Sequence, residues 1–230
     1  MKICGLQKTT LLDYPGHVAA TIFLGGCNFR CPFCHNWNLM FPEQEDLLDE
    51  ADIFSFLKKR AGVLEGVCIT GGEPTLQDEL NVFIKKIKDL GYRVKLDTNG
   101  YRPRILKELC GEGLVDYVAM DIKNSLSAYH GAAGVTGLDL DRIRESVQFL
   151  LEGTVNYEFR TTVVRELHSV ENFEEIGQWL KGCRGYYLQN FKDSERVPVR
   201  GYHGCTKEEL KEFMRVLKPD IPNVSLRGVD

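Results

Sequence analysis

Strand-like runs alternate with helical segments along most of this 230-residue chain. Such alternation is typical of right-handed βαβ units, in which each helix returns the chain to the start of the next parallel strand. Six or so units are too few to close an eight-fold barrel. The pattern therefore predicts an α/β fold built as a partial, open TIM-like barrel. The predicted strands are residues 18–24, 67–70, 92–97, 114–121, 155–164 and 186–190.

The segments between these strands have helical spacing of apolar residues. No Pro/Ser-rich linker or repeat divides the chain, so we predict a single domain over residues 1–230, with its core at about 17–191. Thr206 with Glu209 forms a capping box, which predicts that the extension at 192–230 holds a helix ending at Leu217 and an extra strand at 223–227. The other predicted helices are residues 49–61, 77–90, 104–110, 139–152 and 170–181.

Three closely spaced cysteines follow the first predicted strand. Cys27, Cys31 and Cys34 lie in a short loop that can turn three thiolate sulfurs toward one centre. That geometry suits three of the four irons of a 4Fe–4S cluster, and the fourth iron is left open to a small ligand. The loop is therefore predicted to hold one reactive cluster per chain.

Other uses of these cysteines stay open at this point. His35 could join them as a fourth zinc ligand, although the second ligand pair typical of zinc sites is absent. Residues 31–35 also spell the attachment pattern of a c-type haem, and cysteines are common in protein cores. The remaining five are predicted to be thiols with no assigned role: Cys4, Cys68, Cys110, Cys183 and Cys205.

Composition and charge exclude two classes of function. With 43% hydrophobic and 27% charged residues, the chain is typical of a globular protein. Its net charge is −4 and its basic residues are scattered among acids, which argues against a nucleic-acid binder. No apolar run is long enough to span a bilayer, and the first residues lack the pattern of an export signal. We therefore expect a cytoplasmic protein that binds neither nucleic acid nor membrane.

Polar groups lie at the ends of four predicted strands. In Gly71-Gly72-Glu73-Pro74 the glycines let the backbone approach a ligand, and the carboxylate can accept a hydrogen bond from an amine. Because the carboxyl ends of parallel strands meet at one edge of a sheet, these groups predict one binding site. Each motif taken alone could equally be a strand-end cap or a solvated charge. The other motifs are Asp97-Thr98-Asn99-Gly100, Asp121-Ile122-Lys123 and Arg160-Thr161-Thr162.

These residues resemble the radical S-adenosylmethionine (SAM) superfamily, whose signature is C-x-x-x-C-x-aromatic-C followed by Gly-Gly-Glu. Cys27, Cys31, Phe33 and Cys34 match the first part, and residues 71–73 match the second. The resemblance covers nearly the whole chain and implies a partial (β/α)6 barrel. It also implies that the three cysteines bind a 4Fe–4S cluster, whose fourth iron is chelated by the amino and carboxylate groups of SAM.

The resemblance further implies how the rest of SAM is held. Residues 71–73 would hold its amino group, and the backbone of Phe33, Cys34 and His35 would lie near its adenine. Asp97, Thr98 and Asp121 could also frame a monovalent cation near its carboxylate, as in pyruvate formate-lyase activases. Further contacts with SAM are implied for Asp97, Asn99, Asp121, Ile122, Lys123 and Arg160.

Within the superfamily, the chain is most similar to the glycyl-radical-enzyme activases. Residues 6–16 resemble the long form of the anaerobic ribonucleoside-triphosphate reductase activating proteins. Where pyruvate formate-lyase activases carry a late histidine, this chain has Gln189-Asn190-Phe191, which favours the reductase branch.

The resemblance implies a reaction in which a reduced cluster passes one electron to SAM. Methionine leaves, and the 5'-deoxyadenosyl radical takes the Cα hydrogen of a glycine in a large glycyl radical enzyme. No side chain of this chain needs to act as an acid or a base. The implied partners are that enzyme and a low-potential electron donor such as flavodoxin or ferredoxin.

Three alternatives remain. One is an activase of the pyruvate formate-lyase type. Another is a radical SAM enzyme that acts on a small molecule and resembles 7-carboxy-7-deazaguanine synthase, although no substrate contacts are evident in residues 165–230. The third is an electron-transfer or interaction protein that carries the cluster and leaves SAM intact.

Overall fold

The computed structural model describes residues 1–228, so the last two residues of the predicted 1–230 domain lie outside the described part. All the predicted strands are present, and the structure adds one at the N-terminus. That additional strand, β1, was missed because Gln7, Lys8 and Thr9 in its second half are polar and exposed and do not follow an apolar pattern. The strands are β1 (Ile3–Thr10), β2 (Ala19–Leu24), β3 (Gly66–Gly71), β4 (Arg93–Thr98), β5 (Tyr117–Asp121), β6 (Asn156–Val163), β7 (Tyr186–Asn190) and β8 (Val224–Arg227).

The predicted helices are also present, together with a five-residue helix, α4, that is too short to show a helical period. No helix within residues 1–228 has the length and apolar content needed to cross a bilayer. The helices are α1 (Glu50–Arg60), α2 (Leu80–Asp89), α3 (Pro103–Gly111), α4 (Tyr129–Ala133), α5 (Leu140–Leu151), α6 (Val170–Trp179) and α7 (Lys207–Leu217).

Side-chain caps define where several helices begin. The capping box predicted for α7 is confirmed, because the Thr206 hydroxyl accepts from the Glu209 N–H and the Glu209 carboxylate accepts from the Thr206 N–H. Helix α2 begins at Leu80, three residues later than predicted. The preceding residues, Pro74–Leu76, form a separate 3-10 turn capped by the Glu73 side chain.

The described chain forms two compact units, each with its own strands. The first unit comprises Met1–Asn28, Asn38–Ala119 and Thr154–Asn156. The second comprises Phe29–Trp37, Met120–Gly153 and the residues from Tyr157 onward. The single domain expected from the sequence stays a prediction.

In the first unit, β1 pairs antiparallel with β2, and β2, β3 and β4 pair in parallel. The strand β2 is buried almost throughout, which is typical of parallel strands covered on both faces. The register aligns Thr21 of β2 with Cys68 of β3, and Cys68 with Lys95 of β4. A lysine therefore lies in the middle of a buried parallel sheet.

In the second unit, β6, β7 and β8 are parallel neighbours, and β8 supplies the partner of a buried acid. The Glu158 side chain on β6 is 1% exposed, and its two oxygens accept hydrogen bonds of 2.7 and 2.9 Å from Arg227 on β8. The Arg227 guanidinium also lies 3.8 Å from the centre of the Tyr187 ring on β7. This forked pair fastens the last strand to the unit.

Candidate cluster and cofactor site

The loop after β2, which carries Cys27, lies against the residues that follow β3 in the first unit. The Gly72 N–H donates to the Leu24 carbonyl at 2.8 Å, and the Glu73 N–H donates to the Gly26 carbonyl at 2.8 Å. Gly26 has a φ of +84°, a conformation that glycine adopts without strain. These bonds hold the Gly-Gly-Glu segment directly beside the start of the cysteine loop.

The two motif glycines are required by this close approach. A Cβ on Gly72 would lie 2.0 Å from the Gly26 carbonyl oxygen, and a Cβ on Gly71 would lie 2.3 Å from the Leu24 carbonyl oxygen. Gly71 also has a φ of +116°, which other residues rarely adopt. The sequence suggested that these glycines admit a ligand; in the structure they admit a neighbouring loop.

The Glu73 carboxylate is buried and accepts four hydrogen bonds from the protein. Thr75 donates through its N–H at 3.1 Å and its hydroxyl at 2.5 Å, the Thr98 hydroxyl donates at 2.8 Å and the Asn99 N–H at 2.6 Å. Burial raises the pKa of this carboxyl group, and the four donors oppose the rise. The sequence suggested an acceptor for an amine, but the side chain is 0% exposed and joins the end of β3 to the end of β4.

Glu73→Gln is expected to destabilise the first unit by about 1–3 kcal/mol, because an amide N–H would face protein donors. SAM affinity should fall too, since the segments holding Gly72 and Asn99 lose their shared anchor. Urea unfolding and equilibrium SAM binding to the iron-loaded protein measure the two effects. Glu79→Gln, at an exposed carboxylate nearby, should change neither, and equal effects of both variants would contradict the anchoring role.

Asn99 links the end of β4 to the first predicted cluster ligand. Its Nδ2 donates to Asn28 Oδ1 at 2.9 Å and lies 4.0 Å from Cys27 Sγ. The Asn28 Nδ2 is buried and has no hydrogen-bond partner in the described part of the chain. Amide donors beside a cysteine sulfur suit cluster sulfurs, because hydrogen bonds to these sulfurs tune such centres. The donor set of this loop therefore fits an iron–sulfur cluster.

Strand β4 also carries a buried ion pair that sequence analysis missed. The Lys95 side chain is 1% exposed and contacts the Oδ1 of Asp97, whose side chain is 13% exposed. The Cys68 sulfur lies 3.8 Å from both the Lys95 Nζ and the Asp97 Oδ1. Lys95 and Asp97 are two residues apart and share one face of the strand. The available signal was a lysine between apolar neighbours in a predicted parallel strand.

The other two predicted cluster ligands lie in the second unit. The Cys34 N–H donates to the Cys31 carbonyl at 3.2 Å, which forms a tight turn. The Arg30 N–H donates to the Ala133 carbonyl at 2.8 Å, and a Cβ on Gly134 would lie 2.0 Å from the Arg30 carbonyl oxygen. The short helix α4 and its glycine cap thus fix the entry to this turn.

Asp121, at the end of β5, is shared by two cations. Its Oδ1 is 3.0 Å from Arg160 Nε and 2.9 Å from Arg160 Nη2, and its Oδ2 is 3.1 Å from Lys123 Nζ. Burial favours the neutral acid, but Arg160 and Lys123 outweigh it and lower the pKa of Asp121 to about 2. Two cations and one carboxylate leave a formal charge of +1, which suits an anionic ligand. The N–H of Ile122, the residue between Asp121 and Lys123, donates to the Arg160 carbonyl at 2.8 Å.

The same environment acts on Cys31. Burial raises the pKa of its thiol to about 11, and the Lys123 ammonium acts in the opposite direction. Cysteine binds metals as the thiolate, so metal binding at this residue requires loss of the proton.

His168 supports the Lys123 segment from behind. The Val164 N–H donates to His168 Nδ1 at 3.1 Å, and Nε2 lies 3.0 Å from the Lys123 carbonyl oxygen. A neutral ring with its proton on Nε2 satisfies both groups. The ring stacks on Phe173 at 5.7 Å, and burial lowers the pKa of His168 below its ordinary 6.5. Sequence analysis did not single out this residue.

We expect His168 to make stability fall as the pH falls below about 6.5. Its folded pKa lies below its unfolded pKa, so the unfolded chain takes up the proton first, and the stabilisation is fully present only above the unfolded value. His168→Gln should cost about 1–3 kcal/mol at pH 7 through the lost bonds and flatten this pH dependence. Urea unfolding of both proteins from pH 7 to about pH 5 measures the difference, and parallel curves would contradict this role.

At the end of β7, where pyruvate formate-lyase activases carry a histidine, Asn190 and Phe191 contact other parts of the second unit. Asn190 Nδ2 donates to the Cys205 carbonyl at 2.9 Å, and the Cys205 N–H donates to Asn190 Oδ1 at 2.8 Å. The Phe191 ring lies 5.4 Å from the ring of His35, and His35 Nε2 is 2.7 Å from the Lys192 carbonyl oxygen. The segment that follows β7 thus contacts His35, the residue directly after Cys34.

The predicted site residues therefore divide between the two units. Among residues 1–228, no three His, Cys, Asp or Glu side chains come together as a ready-made metal site. The ligand and cofactor roles stay predictions. The first unit holds Cys27, Gly71, Gly72, Glu73, Asp97, Thr98 and Asn99, and the second holds Cys31, Phe33, Cys34, His35, Asp121, Ile122, Lys123 and Arg160.

Two relatives resemble nearly the whole chain. A provisionally named glycyl-radical enzyme activating enzyme from Methanocaldococcus jannaschii is 32% identical over 234 residues, which covers 99% of this chain and 96% of that protein. The pyruvate formate-lyase-activating enzyme of Clostridium pasteurianum is 29% identical over 219 residues, which covers 90% of this chain and 85% of that enzyme.

A family model and a solved structure agree with the fold. The crystal structure of QueE from Escherichia coli matches with a TM-score of 0.59 at 16% identity, over 98% of this chain and 92% of that one. Residues 21–181 match the model of the radical SAM superfamily. The predicted α/β fold class of the radical SAM type is thereby confirmed. The chain belongs to the radical SAM superfamily, whose enzymes use a 4Fe–4S cluster and S-adenosylmethionine.

Proposed function

We propose that this chain is a glycyl-radical-enzyme activase, which cleaves SAM and removes the Cα hydrogen of one glycine in a large partner enzyme. The observation that carries the proposal is the similarity to two activating enzymes over at least 90% of this chain. Both relatives are named as enzymes that activate another enzyme. The substrate proposed here is therefore a loop of a partner protein.

When bound, the cluster and SAM supply a one-electron cleavage that yields methionine and a 5'-deoxyadenosyl radical. In the proposal, Cys27, Cys31 and Cys34 hold the cluster. The positively charged group of Asp121, Lys123 and Arg160 binds the SAM carboxylate. The backbone of residues 71–73 and the side chains of Asn28 and Asn99 complete the site. No acid or base is required, because these residues only bind and orient.

The proposed partner is an anaerobic ribonucleoside-triphosphate reductase, supported by the resemblance of residues 6–16 and by Gln189-Asn190-Phe191 in place of a late histidine. The electron comes from a low-potential one-electron donor such as flavodoxin or ferredoxin. All these proteins act in the cytoplasm in this proposal.

An anaerobic activation assay tests the proposal. Iron-loaded protein, SAM and dithionite are incubated separately with an anaerobic ribonucleoside-triphosphate reductase and with a pyruvate formate-lyase. A glycyl-radical doublet in the EPR spectrum, with matching 5'-deoxyadenosine, is expected for the reductase. A reductase whose radical-bearing glycine is replaced by alanine provides the control and should give no doublet.

The outcomes separate the alternatives. A doublet with pyruvate formate-lyase alone would overturn the choice of partner and keep the activase. 5'-Deoxyadenosine without a radical on either enzyme would overturn the activase and favour a small-molecule substrate. An iron-loaded protein that leaves SAM intact would indicate electron transfer alone.

A further inference from the structure

The three groups that could frame a monovalent cation all have protein partners. Asp97 is ion-paired with Lys95 in the first unit. The Thr98 hydroxyl donates to Glu73 at 2.8 Å and accepts from the Gly100 N–H at 3.1 Å. In the second unit, Asp121 is shared by Arg160 and Lys123. The residues present therefore do not fit the cation that the resemblance implies.

The carboxylates of Asp97 and Asp121 are both already paired with cationic side chains of the protein. At Asp121, Arg160 contacts one carboxylate oxygen and Lys123 the other, so a metal ion would have to displace a cationic side chain. At Asp97, the Lys95 ammonium already neutralises the carboxylate, and it is attached to the same strand two residues away. A tethered cation has a high effective concentration that does not depend on the ions in solution. A metal ion would have to displace it.

Packing alone does not account for Lys95. Burying a lysine at 1% exposure carries a large desolvation cost, and an apolar side chain would fill this part of the sheet without that cost. The neighbouring apolar positions of β4, Val94 and Leu96, are themselves fully buried. A charge in this position is retained at the expense of stability, as is common where a functional group must be held in place.

We propose that the Lys95 ammonium takes the place of a monovalent metal ion at Asp97, so that SAM binding and cleavage by this chain need neither Na⁺ nor K⁺. Lys95 is then a positioning residue that holds the carboxylate of Asp97, the first residue of the motif Asp97-Thr98-Asn99. This role belongs to the SAM site of the proposed function and does not depend on which partner enzyme is activated.

The test compares ions at constant ionic strength, without any partner enzyme. Iron-loaded protein reduced by titanium(III) citrate prepared without alkali metals is assayed for 5'-deoxyadenosine in KCl, NaCl and tetramethylammonium chloride. Equilibrium SAM binding and the thermal unfolding midpoint are measured in the same salts. The unaltered protein is expected to behave alike in all three, within about twofold in rate and affinity, because the built-in cation is always present.

Lys95→Met keeps an unbranched side chain that is one atom shorter and removes its charge. This variant is expected to lose SAM affinity about 10- to 100-fold in tetramethylammonium chloride. K⁺ or Na⁺ should restore most of the lost SAM affinity and raise the thermal unfolding midpoint. Lys95→Met combined with Asp97→Asn should not respond to either ion, because the carboxylate is gone. Lys85→Met, which breaks the exposed Lys85–Asp89 ion pair on α2, is the control and should be as insensitive as the unaltered protein.

Two results would overturn the proposal. One is a saturable dependence of the unaltered protein on K⁺ or Na⁺ of about tenfold or more, which would show that an ion binds despite Lys95. The other is a folded Lys95→Met variant whose SAM affinity and midpoint ignore both ions, which would reduce Lys95 to a structural partner. If Lys95→Met does not fold, the salt comparison on the unaltered protein still decides. Absence of a glycyl radical on any partner would affect the proposed function alone.

Discussion

Cys31→Ala is expected to lose both the iron–sulfur cluster and SAM cleavage. Three cysteine sulfurs are the fewest that can hold a four-iron cubane with one open iron, so two would leave a second iron without a protein ligand. Cys31 is also the most deeply buried of the three, at 7% exposure, and water is poorly placed to substitute for its sulfur. After anaerobic loading, iron and sulfide content, visible absorbance and 5'-deoxyadenosine formation should all fall to the level of protein that was never loaded.

Cys110→Ala is the matched control for this experiment. Cys110 is partly exposed in helix α3, far along the chain from the motif, and alanine is the best helix former. Its cluster content and cleavage rate should equal those of the unaltered protein. A Cys31→Ala protein that retains a full cluster would show that this cysteine is not a ligand, and native zinc in the loop would remove the basis of the proposed function.

The second large effect is expected at the ion pair that fastens the last strand. Arg227→Met should destabilise the second unit by about 3 kcal/mol, because the Glu158 carboxylate would stay buried without its cation. The contact of the guanidinium with the Tyr187 ring is lost as well. Urea unfolding at neutral pH, with secondary structure as the signal, measures the change.

A double variant separates the buried charge from the packing. Glu158→Met combined with Arg227→Met removes both charges, so no uncompensated ion remains, and much of the lost stability should return. Arg215→Met, which breaks an exposed pair with Glu212 on α7, should cost about 0–1 kcal/mol. If the double variant is less stable than Arg227→Met alone, the loss comes from packing and not from the broken ion pair.

Most of the strand and helix order followed from apolar periodicity because parallel strands are short apolar runs between amphipathic helices. Strand β1 could not be predicted in this way, because it pairs antiparallel with β2 and has three exposed polar residues in its second half. The short helix α4 has too few residues for a period, although its Gly134 cap fixes the cysteine turn.

The site was predictable where its chemistry depends on spacing and less so where it depends on contacts between strands. The three cysteines and the motif at Asp121 are local patterns that the sequence displays directly, and their roles stay predictions. The four donors around Glu73 come from two places in the chain, Thr75 and the adjacent pair Thr98 and Asn99, so no local pattern could show that its carboxylate is fully engaged. The pairing of Lys95 with Asp97 is local to β4, but its burial depends on the pairing of β4 with β3 and could not be read from the strand alone.

The close contact between Gly72 and the Gly26 carbonyl bears on how distant homologues should be interpreted. Any side chain at position 72 would collide with that oxygen at 2.0 Å, whether or not a nucleoside is ever bound. Purifying selection should therefore keep this glycine even in a descendant that has abandoned radical chemistry. Homologues that have lost the activity are therefore better recognised by the loss of the three cysteines than by the presence or absence of Gly-Gly-Glu.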